Sequence, residues 1–213
     1  MKIAIIGASG KAGNLILKEA VERGHEVTAI VRDTAKIQNH QVTVVENNVF
    51  NLKTEDIQNY DVVVNAFNSA PGQEIQHIEA GQVLIEALKA APNTRLVVVG
   101  GAGSLFVDET KTMLVLETSE FPKAYYPTAF NMGENLKELQ NTNDINWTYI
   151  SPGGFFNPEG KRTGFYQKGG DVLFLNSKGD SYISYADYAI ALLDEIENPQ
   201  HKNQRFAVVG EAE

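Results

Sequence analysis

The sequence predicts an α/β fold: a doubly wound, mostly parallel sheet with helices on both faces and a small carboxy-terminal lobe. Three observations predict it. Short β-branched runs, apolar on successive residues, alternate with helix-patterned segments over the first 150 residues. A glycine-rich turn joins the first of these runs to the first helix. After Pro152 the chain becomes polar and rich in glycine, with short extended pieces before one last helix and strand.

The elements follow in order. KIAIIG (2–7), EVTAIV (26–31), VTVVE (42–46), DVVVNAF (61–67), RLVVVGG (95–101) and NWTYIS (146–151) read as strands buried on both faces of a parallel sheet. Segments 11–23, 73–91 and 125–142 carry apolar residues at helical spacing. In the second, Ile75, Ile78, Val83, Leu84 and Leu88 form the expected buried stripe, and Pro92 follows its end. Turn signals at 169–170 and 178–179 divide the polar stretch. A helix over 185–197 begins after Ser184, a good N-cap, and stops at Asn198-Pro199, before a final strand QRFAVVG (204–210). Residues 1–213 read as a single domain, with 153–183 as a small substrate-side lobe. The acidic run 108–120 lies in a long connection, the kind of segment that covers a site, here expected to cover the acceptor.

Composition narrows the function. A chain of 213 residues with 43% hydrophobic content can bury one sizeable core. A net charge of −9, with Lys and Arg scattered, argues against nucleic acid and anionic membranes as partners. The absence of cysteine excludes disulfides and thiolate catalysis. His25, His40, His77 and His201 show no paired ligand spacing, so no metal site is expected. No apolar run approaches the roughly 18 residues of a membrane span. MKIAIIGASG reads as a strand rather than a signal peptide, so a cytoplasmic protein is expected.

Gly7, Gly10 and Gly13 form G-x-x-G-x-x-G between a strand and a helix. That context is the Rossmann dinucleotide fingerprint: glycines let backbone approach a pyrophosphate, and the helix start offers free N–H groups and partial positive charge. Ser9 adds a hydroxyl and Lys11 a charge at the same turn. The second strand ends in Arg32, where an acid would bind the ribose of NAD and an arginine accommodates the 2′-phosphate of NADP. NADP(H) is therefore the expected cofactor; should Asp33 face the ribose instead, the preference is mixed or reversed towards NAD(H). Other strand ends should line the same crevice. Asn48 and Val49 are expected near the adenine, and Ala66 and Phe67 near the adenine ribose and pyrophosphate. Gly101 is expected near the nicotinamide ribose, and Pro152 and Gly153 around the nicotinamide. Phe155, Phe156, Phe165 and Tyr166 either stack on an acceptor ring or fill the core beneath it.

GASGKAG, VRD, GGAGSL, WTYISPGGFFNPEGKRTGFY and SYISYADYAIALLDEIENPQHKNQRFAVVG together resemble the atypical short-chain dehydrogenase/reductases. The nearest resemblance is to the NAD(P)H-binding group called NADH-flavin reductases, relatives of the biliverdin-IXβ/flavin reductases and of NmrA-like proteins. It runs over essentially the whole chain. RTGFY and ISYADYAIALLDEIENPQH carry it more specifically than the glycine turn does. The resemblance implies NAD(P)H binding and hydride transfer to a small acceptor, a flavin or a quinone.

One departure is chemical. Conventional members use Tyr-x-x-x-Lys beside a serine, the lysine lowering the tyrosine pKa. Here Tyr125 is followed four residues on by Ala129, and Tyr126 by Phe130. Ser104 lies near the family's serine position, with Gly103 beside it as the alternative aligned residue. Ser104, Tyr126 and His77, the last placed near the mouth of the site, are the catalytic candidates. Alcohol–ketone chemistry is not expected, whereas flavin reduction demands mainly proximity and orientation. The rival from another class is a non-catalytic NADP(H) sensor acting through a protein partner, which would bind cofactor without turnover. A nucleotide-sugar epimerase or dehydratase ranks last, because the carboxy-terminal segment is short for a sugar-nucleotide domain. A homodimer or a protein partner is compatible with the sequence.

Overall fold

A computed structural model describes residues 1–211. The first half of the chain forms β1 (Lys2–Ile6), α1 (Lys11–Glu22), β2 (Glu26–Val31), β3 (Thr43–Glu46), α2 (Thr54–Ile57), β4 (Val62–Asn65), α3 (Gln76–Leu88) and β5 (Arg95–Val99). The second half forms α4 (Tyr126–Gln140), β6 (Asn146–Pro152), β7 (Phe155–Asn157), β8 (Tyr166–Gly169), β9 (Tyr182–Ser184), α5 (Tyr185–Glu197) and β10 (Gln204–Gly210). Eight strands make one sheet in the order β3-β2-β1-β4-β5-β6-β10-β8, and β7 pairs with β9 apart from it. All neighbours in the main sheet run parallel except β8, which is antiparallel to β10. This is the doubly wound Rossmann order, with β8 of the carboxy-terminal segment added at the edge.

Strand β1 shows why the sheet is covered twice. Successive side chains of a strand point to opposite faces. Ile3 and Ile5 share one buried cluster with Ile16 and Leu17 of α1 and Leu192 and Ile196 of α5, while Ala4 and Ile6 share the other with Leu84 and Leu88 of α3 and Leu136 and Leu139 of α4. Each such large aliphatic, fully buried, contributes about 1.5–3 kcal/mol.

Two expectations about local structure are corrected. β3 is not buried on both faces; it is the outer strand, and Val45 is exposed. The second long helix starts at Gln76 rather than near 73, after a turn in which Gln76 N–H donates to Gln73 C=O at 3.0 Å. Its buried face carries His77, Ala80, Gly81, Leu84 and Leu88, so Ile75 lies outside the stripe and is 54% exposed. By contrast α5 starts where expected, with Ser184 Oγ accepting from Asp187 N–H at 3.0 Å.

At the amino-terminal edge of the sheet, a buried ionic cluster joins α5 to β5 and β6. Glu195, with no exposed surface, accepts from Arg95 Nη2 at 2.7 Å and from the Gln200 and His201 N–H groups at 3.0 and 2.9 Å. Arg95 also donates to Thr148 Oγ1 and to the Glu195 carbonyl. Removing one partner of such a pair strands a buried charge. Glu195→Gln should therefore lower the unfolding free energy by about 3–5 kcal/mol, read as a shift in the urea midpoint; an unmoved midpoint would show that the cluster holds nothing.

Candidate functional site

The glycine turn sits where the winding of the sheet reverses, at the carboxyl ends of the neighbouring strands β1 and β4. Gly7 adopts φ +74°, and a Cβ there would lie 2.6 Å from the Ala66 carbonyl oxygen. Its N–H donates to Ile30 C=O at 3.2 Å, and its carbonyl accepts from Gly10 N–H at 2.9 Å. A Cβ at Gly13 would collide with the Gly7 carbonyl, so this glycine lets α1 press onto the turn. No side chain caps α1, and no acid stands in its first turn. Its leading N–H groups thus keep their hydrogen-bonding capacity and partial positive charge, the features that receive an anion.

A crevice of about 130 Å³ opens in front of this helix start. Gly7, Ser9, Gly10, Arg32, Asn48, Val49, Ala66 and Phe67 all line it, brought together from the ends of four strands. Asn47 and Asn68 line it too. Sequence reasoning missed both, although each directly adjoins a residue it singled out. Arg32 is exposed and makes no hydrogen bond or ion pair among the described residues. Asp33 is turned to local work: its Oδ1 accepts from Ala35 N–H at 3.1 Å and caps the 3-10 turn 34–36. Asn48 Oδ1 similarly accepts from Phe50 N–H at 3.4 Å. Lys11 does not line the crevice; its Nζ lies 3.5 Å from Glu159, both side chains being exposed.

Gly101, Pro152 and Gly153 lie outside this crevice, at the ends of β5 and β6. Tyr149 of β6 supports that region from below. Its hydroxyl accepts from Gly101 N–H and donates to the Met132 carbonyl, both at 3.3 Å, and its ring occupies the space a Gly100 Cβ would need. Burial pushes the phenol up to about 12, against the opposing pull of Gly101, Arg205 and Ser104. Tyr149 was not foreseen; the signal was a tyrosine inside an apolar strand beside one that ends in two glycines.

The three catalytic candidates differ in their surroundings. Ser104 is buried beneath the turn after β5. Tyr126, at the start of α4, is 45% exposed and stacks on Phe130 at 6.2 Å, and its hydroxyl has no hydrogen bond among the described residues. His77 is not at the mouth but in the interior, because the buried face of α3 is rotated from the expected stripe. It is 7% exposed, meets Phe67 edge-on at 5.5 Å, and borders a small void of about 10 Å³ with Asn65, Met132 and Asn135.

The four aromatic candidates divide. Phe156 packs into the core against Tyr185 and Tyr188 at 3.9 and 4.8 Å, and Tyr166 donates its hydroxyl to Asp194 at 2.7 Å. Phe155 and Phe165 are exposed.

Burial pushes the His77 imidazole down to about 4, with Glu74 opposing. The unfolded chain then binds a proton below about 6.5 that the folded chain refuses until about 4. Stability from this group is complete above 6.5 and falls by up to about 3 kcal/mol as pH drops to 4. Urea midpoints measured from pH 7 to 4 should decline more steeply for the wild type than for His77→Leu; parallel profiles would contradict the burial.

Comparison with known proteins agrees with this geometry. Residues 7–199 match the family described as NAD(P)H-binding. The uncharacterized protein YwnB of Bacillus subtilis (strain 168) is 66% identical over 213 residues, covering the whole of both chains. A crystal structure from Streptococcus pneumoniae TIGR4, of a protein provisionally titled NADH-flavin reductase, is 40% identical with a TM-score of 0.94, covering 99% of this chain and 100% of that one. A provisionally titled epimerase from Bacteroides thetaiotaomicron is 36% identical with a TM-score of 0.89, covering 100% of this chain and 98% of that one. With its uncapped helix start, its glycine turn at the switch point and a match over nearly its whole length, the chain belongs to the NAD(P)H-binding family.

Proposed function

We infer that the protein is an NADPH-preferring reductase that passes hydride to a flavin or a quinone. The observation that carries the reading is the uncapped start of α1 behind Gly7 and Gly10, with Arg32 unpaired at the rim of the crevice. The residues fit a dinucleotide: Gly7 leaves no room for a side chain, and no side chain caps the start of α1 beside the crevice.

On this reading Gly7, Ser9, Gly10 and the first-turn amides hold the pyrophosphate, and Lys11 exchanges Glu159 for phosphate. Asn48 and Val49 border the adenine, Ala66 and Phe67 the neighbouring ribose. Gly101, Pro152 and Gly153 shape the nicotinamide end, with 153–183 as the acceptor-side lobe. Arg32 takes the 2′-phosphate, for which Asp33 is no competitor while it caps its own turn. When bound, the reduced nicotinamide supplies the hydride. The chain's part is orientation, since solvent can deliver the proton that a flavin takes up. Tyr126 lacks the lysine that would make it an acid, and the Tyr149 phenol, pushed up to about 12 by burial, is a poor one.

The test is steady-state oxidation of NADPH and NADH with FMN, riboflavin and a small quinone each offered as acceptor. Arg32→Ala should raise KM for NADPH about 10- to 100-fold, the worth of a charge-assisted hydrogen bond, and leave kcat and the NADH parameters near wild type. Equal effects on both cofactors would remove the 2′-phosphate role. Cofactor binding without turnover on any acceptor would overturn the reductase and favour a sensor, a reading supported by the missing Tyr-x-x-x-Lys pair.

A further inference from the structure

Arg205 stands among apolar residues in β10, and its side chain is only 3% exposed. A guanidinium taken out of water is costly unless its donors are used, so its partners reveal its purpose. Nε donates to Asp171 Oδ1 at 2.8 Å, Nη1 to the Ser104 carbonyl at 3.1 Å, and Nη2 to the Asp171 carbonyl at 3.4 Å. Asp171 belongs to the carboxy-terminal segment beyond β8, and Ser104 closes the glycine turn beyond β5. The same two segments are stitched by backbone: Phe106 N–H donates to Asp171 C=O and Leu173 N–H to Phe106 C=O, both at 2.8 Å. Lys111, 3.2 Å from Asp171 Oδ2, ties in the loop that follows.

The turn itself explains why such a clamp is needed. Gly100-Gly101-Ala102-Gly103 carries almost no side chain with which to hold its own shape, and glycine loses the most conformational freedom on ordering. Tyr149, paired with Arg205 across β6 and β10, props the start of the turn through Gly101. Arg205 secures its end through Ser104. A lysine could not do the same, because a point charge lacks the planar fork that reaches a carboxylate and a carbonyl together.

We propose that Arg205, braced by Asp171, is a positioning residue that holds the Gly100–Ser104 turn in the shape that receives the nicotinamide end of the dinucleotide. The carboxy-terminal lobe thereby controls the geometry of the site through one buried cation. The inference rests on the nucleotide reading above.

The experiment compares wild type with Arg205→Met, Arg205→Lys and Asp171→Asn by two measurements that need no turnover. Backbone amide exchange should rise about tenfold or more at Gly101, Leu105 and Phe106 in Arg205→Met, and stay at wild-type rates over residues 7–14. Affinity for NADPH should fall about tenfold, while 2′,5′-ADP, which lacks the nicotinamide half, should bind within about twofold of wild type. Arg205→Lys should recover part of both effects. Should Arg205→Met fail to fold, Asp171→Asn makes the same test by removing the brace alone. Exchange that rises across the whole sheet, or an equal loss for both ligands, would overturn the proposal by showing a purely structural arginine. If wild type binds neither ligand, the nucleotide reading fails; amide exchange then still decides whether Arg205 holds the turn.

Discussion

The rest of the site depends on one close approach, that of Gly7 to the backbone at the end of β4. The Ala66 carbonyl lies where a side chain at position 7 would begin, and α1 presses on the Gly7 carbonyl through Gly13. Strand, turn, helix and neighbouring strand end are therefore packed backbone to backbone. That contact sets the uncapped start of α1 at Gly10 beside the crevice, and Arg32, Asn48 and Phe67 line the same opening. Any side chain at Gly7 would push the helix start away from β4 and separate the groups that now converge.

The crevice and the turn after β5 are built by different means. At the β1–β4 end, the residues come from turns that follow their own strands directly, and the local hydrogen bonds of Asp33 and Asn48 hold those turns. At the β5–β6 end, the glycine turn is held by distant residues: Tyr149 from below and Arg205 from the last strand. Through Asp171 the second turn is tied to the segment after β8, the strand that forms the edge of the main sheet.

That division also explains what was legible in the sequence. The alternation of apolar runs and helical stripes revealed the sheet and its helices, because strands covered on both faces need uninterrupted β-branched residues. The glycine turn between β1 and α1 was legible because its place depends on spacing along the chain. Where tertiary context decides, the reading slipped. VTVVE looks like a buried strand, yet it lies at the sheet's edge, a position fixed by the order of all the strands. His77 looks like a residue at the mouth, yet the start of α3 at Gln76 turns it inward against Phe67. Arg205 drew no attention, since a single cation in an apolar strand acquires its role only from Ser104 and Asp171, distant in the chain. The missing Tyr-x-x-x-Lys was readable at once, and Tyr126 indeed stands half exposed without a cation on its hydroxyl.

The central claim is that the glycine turn and the bare start of α1 receive the pyrophosphate of NADPH. The most direct measurement is the change in backbone amide resonances as NADPH is titrated into the isotope-labelled protein. The account predicts its largest shifts at the amides of residues 7–13, with Arg32 and Phe67 moving in the same titration. Saturable binding that leaves residues 7–13 unmoved would contradict it, and so would a protein whose spectrum does not respond to the cofactor at all.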